Sequence, residues 1–193
     1  HISTDFVFPG NVPRPLTEND PTDPLNYYGI TKLEGEKIAL EKCPDSVIVR
    51  TAWLYSAGGR NFVNTMLRLA EKRDIIDVVS DQVGSPTYSG DLASALVRMI
   101  TVIHSTGRRN KELSGVFHFS SEGAASWYDF AKAVYDIRKT TIRVNPVLTQ
   151  DYPTPARRPF YTVLDKSKIK KTFGIEIPYW RESLGKCLLS AGK

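Results

Sequence analysis

The stretch Tyr28-Gly29-Ile30-Thr31-Lys32 sets a phenol and an ammonium four residues apart. On a helix that spacing is slightly more than one turn, so both side chains leave from one face. A phenol with a pKa near 10 is a poor proton donor or acceptor at neutral pH, and an ammonium held beside it favours the phenolate and lowers that value. Such a pair can hand a proton to a carbonyl oxygen as hydride arrives at its carbon. Alone, Tyr-x-x-x-Lys recurs by chance, and an ordinary amphipathic helix with Tyr28 half-buried accounts for it equally. A hydroxyl 24 residues upstream, Thr4, sharpens the pattern, because it closes the short run "IST" and ligands of open α/β sheets bind beyond the carboxyl ends of strands.

The elements that would position these groups follow from patterning. "SVIVRTAWLY" (46–55) is nearly continuous in apolar residues, as a parallel strand buried on both faces should be. Before it, "PLNYYGITKLEGEKIALEK" predicts a helix with Ile30, Leu33 and Leu40 on one face and Glu34, Glu36 and Lys42 outside it. "NFVNTMLRLAEKR" predicts a second helix, and "DVVSDQVGSPTY" a short strand running into a Gly-Pro loop. Ser89 is expected to cap a helix through "GDLASALVRMITVIH", "GVFHFSS" to form a strand, and Ser126 to cap "SWYDFAKAVYDIRK". The tail is extended and Pro-rich through "VLTQDYPTPARRPFYTVLD". Two short helical patterns follow, Lys166 to Thr172 with Gly174 as its stop, and Trp180 to Leu189. Alternating strands and helices indicate an α/β fold: the C-terminal part of a doubly wound, Rossmann-like parallel sheet with a small mixed α/β lobe. The expected division is 1–57, the remaining part of the Rossmann-like domain with the Tyr/Lys helix, and 58–193, mostly a substrate lobe with segments returning to the sheet.

Composition narrows the function classes. With 193 residues, 41% hydrophobic and 24% charged, the chain suits one ordinary globular domain, or a large one with a small annex. Its apolar runs fall short of the roughly 18 residues of a membrane span, and the first residues lack the layout of a signal peptide; a cytoplasmic protein is expected, with no membrane partner. Cys43 and Cys187 stand in no metal or redox spacing and are expected to be reduced thiols. The net charge of +5 is modest, and the basic clusters at Arg108-Arg109-Asn110-Lys111, Arg157-Arg158 and Lys166 to Lys171 are dispersed. That argues against nucleic acid and for solvated faces, with one or two arginines kept for an anionic small ligand.

The segments "ISTDFVF", "PLNYYGITKLEGE", "VIVRTAWLY", "NFVNTML", "DQVGSPTY", "SWYDFA" and "ARRPFYTVLD" occur in the order and spacing of one family. The chain resembles the dTDP-4-dehydrorhamnose reductases, extended short-chain dehydrogenase/reductases of L-rhamnose synthesis, over essentially its whole length. The resemblance implies reduction of the 4-keto group of dTDP-6-deoxy-L-lyxo-4-hexulose by NADPH or NADH. It also implies roles: Tyr28 as proton donor, Lys32 as the group that lowers its pKa and holds the nicotinamide ribose, Thr4 as hydrogen-bond partner of the substrate oxygen. Trp53 falls where the family's tryptophan lines the sugar site, with a core indole as the plain alternative. Asn61, Gln82, Thr87 and Arg158 fall in motifs that border the nucleotide diphosphate in related enzymes. A homo-oligomer is expected, and some members of the family hold a divalent metal between subunits, for which no ligand cluster is recognisable here.

Departures from the family pattern carry information too. Phe6 stands where the family usually has Tyr, so any hydrogen bond from that hydroxyl is lost. The related 4,6-dehydratases place a carboxylic acid there, which weighs against elimination of water. The Gly-rich turn on which a cofactor pyrophosphate rests is not found, and at roughly 30 residues per βαβ unit about 90 residues are expected ahead of His1. Such a fragment is expected to reduce little by itself and to self-associate through its uncovered edge. Rival expectations are a non-catalytic nucleotide-binding regulatory relative and a nucleotide-sugar epimerase of the same superfamily. Ser167 and Lys170 match a serine/lysine acylation spacing by chance, and His1, His104 and His118 form no ligand set.

Overall fold

The computed structural model describes residues 1–106 and 111–190, so Arg108, Arg109 and Asn110 of the first basic cluster lie outside the described residues. In chain order the elements are β1 (Ile2–Thr4), α1 (Tyr27–Lys42), β2 (Val47–Thr51), β3 (Leu54–Tyr55), α2 (Phe62–Ala70), β4 (Ile75–Val79), β5 (Val83–Gly84) and β6 (Thr87–Tyr88). There follow α3 (Ser89–Thr106), β7 (Gly115–His118), β8 (Ala125–Ser126), α4 (Trp127–Arg138), β9 (Arg143–Val147), α5 (Ser167–Phe173) and α6 (Trp180–Ser190).

β1, β2 and β7 form one parallel sheet in the order β1-β2-β7, with Thr4 opposite Thr51 and Val49 opposite Phe117. The β7 segment thus returns from late in the chain to the sheet of β1 and β2. Leu92, Ala95 and Met99 of α3 and Ile169 and Phe173 of α5 bury with Val49 and Phe117 in one apolar cluster on that sheet. A second cluster lies where α2, α4 and α6 cover the parallel pair β4-β9, around Met66, Ile76, Phe130, Val134, Val144 and Leu184. The strand β9 answers no strand expectation from the sequence: "RVNPV" is short and carries Pro146, and it exists because β4 supplies five paired positions.

Local chemistry sets most helix ends as expected. The Ser126 hydroxyl accepts from the Asp129 amide while the Asp129 carboxylate accepts from the Ser126 amide, a reciprocal capping box. Gly174, at φ +61°, closes α5 in the left-handed conformation that costs glycine little. Ser89 is the first residue of α3.

Three expectations fail for a tertiary reason. The run 46–55 is two strands in two sheets, broken at Trp53, whose φ of +45° redirects the chain from β2 to β3. On α1, Glu36 lies inside while Ile30 and Ile38 are exposed. Glu36 is drawn inward by Arg50 of β2, which it meets in a two-pronged ion pair. Lys166, grouped with the solvated lysines by sequence, is buried and paired with Glu122.

Candidate active site

Thr4 ends β1 and is buried, and the chain turns at once into a short 3-10 turn, Asp5–Val7. The Thr4 oxygen accepts from the Phe6 amide at 3.2 Å and its hydroxyl donates to the Asp5 carboxylate at 3.1 Å. Burial pushes the Asp5 carboxyl up to about 6, opposed by hydrogen bonds from the Thr162 and Thr4 hydroxyls. Sequence patterning gave no hint of this acid, since an Asp after a strand is ordinarily solvated.

The helix carrying Tyr28 and Lys32 begins against that turn. Asn26 caps it by accepting from the Gly29 amide at 2.9 Å. A Cβ on Gly29 would stand 2.3 Å from the Phe6 carbonyl oxygen, so only glycine allows this approach. The Tyr28 and Phe6 rings meet edge to face at 6.1 Å, which puts Phe6 beside the phenol. The Lys32 ammonium donates to the Ile2 carbonyl at 2.5 Å, and Tyr28 is 54% exposed. Thr4 thereby closes β1, Tyr28 stands beside the turn that follows it, and Lys32 reaches the same strand at its first residue, Ile2.

A second assembly surrounds a cavity of about 260 Å³ between α2, α4, β4 and the loop after β9, lined by Phe62, Thr65, Gln82, Trp127, Tyr152 and Arg158 among others. Gln82 is buried and lines the cavity, and its amide donates to the Thr149 hydroxyl at 3.0 Å. Arg158 is exposed. Trp53 lies one layer behind that wall: its indole stacks on Trp127 at 3.5 Å between centroids and 4° between planes. The left-handed backbone of Trp53 aims it there, and Gly84 makes room, since a Cβ on Gly84 would lie 2.6 Å from the indole.

The structure turns two other sequence candidates to structural work. Asn61 is the N-cap of α2, accepting from the Asn64 amide and donating to the Ser56 carbonyl. Thr87 is fully buried, with its hydroxyl on the Ser85 carbonyl at 3.2 Å, and offers no surface to a ligand in this arrangement. Trp127, Phe62 and Tyr152 were not singled out by sequence; an indole opening a helix just after its capping serine was the available signal for Trp127.

The remaining titratable groups have structural settings. His118 sits in β7, where burial, reinforced by the Arg50 charge, pushes its imidazole down to about 3. Its Nδ1 meets the Leu16 carbonyl. Neither Cys43 nor Cys187 is in a disulfide. Among the described residues no His/Cys/Asp/Glu group is arranged to hold a metal ion, and no helix is long and apolar enough to cross a membrane.

Comparison with known proteins places these features among relatives. The model of the "RmlD substrate binding domain" family matches residues 1–192. A dTDP-4-dehydrorhamnose reductase of Aggregatibacter actinomycetemcomitans is 45% identical over 190 residues, covering 95% of this chain and 64% of that protein. A crystal structure of a dTDP-4-dehydrorhamnose reductase from Clostridium acetobutylicum superposes with a TM-score of 0.92 at 40% identity, over 100% of this chain and 65% of that one. One from Bacillus anthracis, solved in complex with NADP, gives 0.89 at 37% identity, over 98% and 64%. The chain therefore spans just under two thirds of the length of these relatives.

Proposed function

The chain belongs to the RmlD substrate binding domain family, and from that premise we propose that the protein reduces the 4-keto group of dTDP-6-deoxy-L-lyxo-4-hexulose to give dTDP-L-rhamnose, with NADPH or NADH as reductant. The observation that carries this reading is that the contact of Gly29 with Phe6 seats Tyr28 beside the turn after Thr4, while Lys32 of the same helix reaches β1 at Ile2. The names of relatives at 40–45% identity support it.

Tyr28 donates its phenolic proton to the C4 oxygen, and its half-open position lets a bound sugar reach it. Lys32 holds the phenol poised for that transfer; its ammonium has three N–H donors, one engaged by Ile2, which leaves donors for a ribose. Thr4 reaches the substrate oxygen by turning its proton away from Asp5. These residues fit the nicotinamide end of the cofactor, which when bound supplies the hydride. The Trp127 and Phe62 surfaces form an apolar wall for the sugar nucleotide, and Arg158 offers a guanidinium to its diphosphate. In this reading residues 58–193 are mostly the substrate lobe, with β7, α3 and α5 belonging to the sheet of β1 and β2. Self-association belongs to it as well, Tyr27, Ile30 and Ile38 standing exposed along α1; light scattering reads the mass.

The test is Tyr28→Phe in the full-length protein, which keeps the ring and removes the proton. Formation of dTDP-L-rhamnose should fall by about a thousandfold, within the range of general acid catalysis. Turnover within about threefold of the parent would remove Tyr28 from the mechanism and the reading with it.

A further inference from the structure

Asn26 uses both ends of its amide. Its Oδ1 caps the catalytic helix at the Gly29 amide, and its Nδ2 donates to the Arg157 carbonyl at 2.9 Å, across 131 residues of sequence. The segment it reaches needs holding. Residues 152–158 are exposed, with the 260 Å³ cavity on one side and another of about 450 Å³, lined by Tyr152 through Arg158, on the other. Among the described residues, the hydrogen bonds of residues 153–158 are the internal one from Thr154 to the Ala156 carbonyl and the one from Asn26. Arg158, next in the chain, is the guanidinium lining the cavity. Just beyond it, Pro159 packs on Gly10, and the Tyr161 amide donates to the Gly10 carbonyl.

We propose that Asn26 is a positioning residue that ties the arginine-bearing pocket loop to the first turn of the Tyr28/Lys32 helix, fixing the separation between the diphosphate-binding and proton-donating ends of the site. This rests on the proposed function for what the loop binds; the tie itself does not. A loop held only at its ends samples many positions for Arg158, and a ligand bridging Arg158 and Tyr28 must then order it on binding. The single hydrogen bond to Arg157 removes that cost beforehand.

Asn26→Asp separates the two jobs. Aspartate caps a helix as well as asparagine does but has no N–H to give the Arg157 carbonyl. Trypsin reports the tie directly: it cuts after Arg157 and not after Arg158, because Pro159 follows. In Asn26→Asp the 157–158 bond should be cut about tenfold faster, with the melting temperature unchanged, since the loss is one local hydrogen bond. KM for the dTDP-keto sugar should rise about tenfold while kcat falls by less. An unchanged cleavage rate overturns the proposal, as does faster cleavage with an unchanged KM. Should Asn26→Asp melt early, Asn26→Ser, which also caps but is too short to reach Arg157, is read by the same assay. Both readouts use the full-length protein; if its parent turns over no dTDP-keto sugar, the proposed function falls and the trypsin rate still decides the tie.

Discussion

Glu36 and Arg50 face each other as a buried two-pronged pair, Arg50 Nε to Glu36 Oε1 at 2.9 Å and Nη2 to Oε2 at 2.7 Å, with side-chain exposures of 3% and 5%. The pair joins α1 to β2, and the Arg50 guanidinium also lies over the Phe8 ring at 5.0 Å. Removing one partner strands the other charge away from water. Glu36→Ala or Arg50→Ala should therefore each lower stability by about 3–5 kcal/mol, and Glu36→Leu with Arg50→Met should recover most of it. Urea unfolding of the three variants measures this; single losses below about 1 kcal/mol would mean the pair is effectively solvated.

Gly29 sets the distance from the Tyr28/Lys32 helix to the strand. A methyl there would sit 2.3 Å from the Phe6 carbonyl oxygen and 2.8 Å from Pro24 Cβ, so Gly29→Ala must push the first turn of α1 outward. Misplacement by about 1 Å costs on the order of a hundredfold in rate, and that loss in kcat is expected while far-ultraviolet circular dichroism stays native. A Gly29→Ala protein with parental kcat would show that Tyr28 does not depend on this contact.

Trp53 and Trp127 stack at 3.5 Å, and Gly84 leaves the space. Two indoles so close couple their transitions, giving a paired signal in circular dichroism. Gly84→Ala puts a methyl 2.6 Å from Trp53 and should abolish that signal and weaken dTDP-sugar binding, because Trp127 loses its backing beside the cavity. Retention of the signal in Gly84→Ala would show that the indole pair can shift as a unit.

Two buried groups oppose each other in acid. Asp5 titrates at about 6 in the fold against 3.8 for an ordinary aspartate, so the folded state binds the proton more tightly, and its contribution to stability falls as pH rises from 3.8 through 6. His118 titrates at about 3 against 6.5, so the unfolded state binds its proton more tightly, and stability is lost as pH falls from 6.5 toward 3. Between pH 4 and 6 the two slopes have opposite signs. Asp5→Asn should therefore steepen the loss on acidification, and His118→Gln should replace it with a gain; urea midpoints at the two ends of that window read both. Parallel behaviour of the two variants would contradict the opposition.

Features that depend on near neighbours were legible along the chain. The spacing of Tyr28 and Lys32, the Ser126 cap, the Gly174 stop and the β-branched run of β2 are local facts, because helix period, capping and strand preference act over a few residues. Features that depend on a distant partner arise only once the chain is folded. Glu36 turns inward only because Arg50 waits on β2, and β9 forms only because β4 offers its edge. The strand run breaks at Trp53, where the chain passes from one sheet to another and the indole finds Trp127. Thr87 and Asn61, which motif position suggested as ligand contacts, are occupied by the Ser85 carbonyl and the first turn of α2. A side chain's type fixes which bonds it can make. Which partner takes them is settled when segments far apart in the chain compete for the same buried volume and the same unpaired backbone.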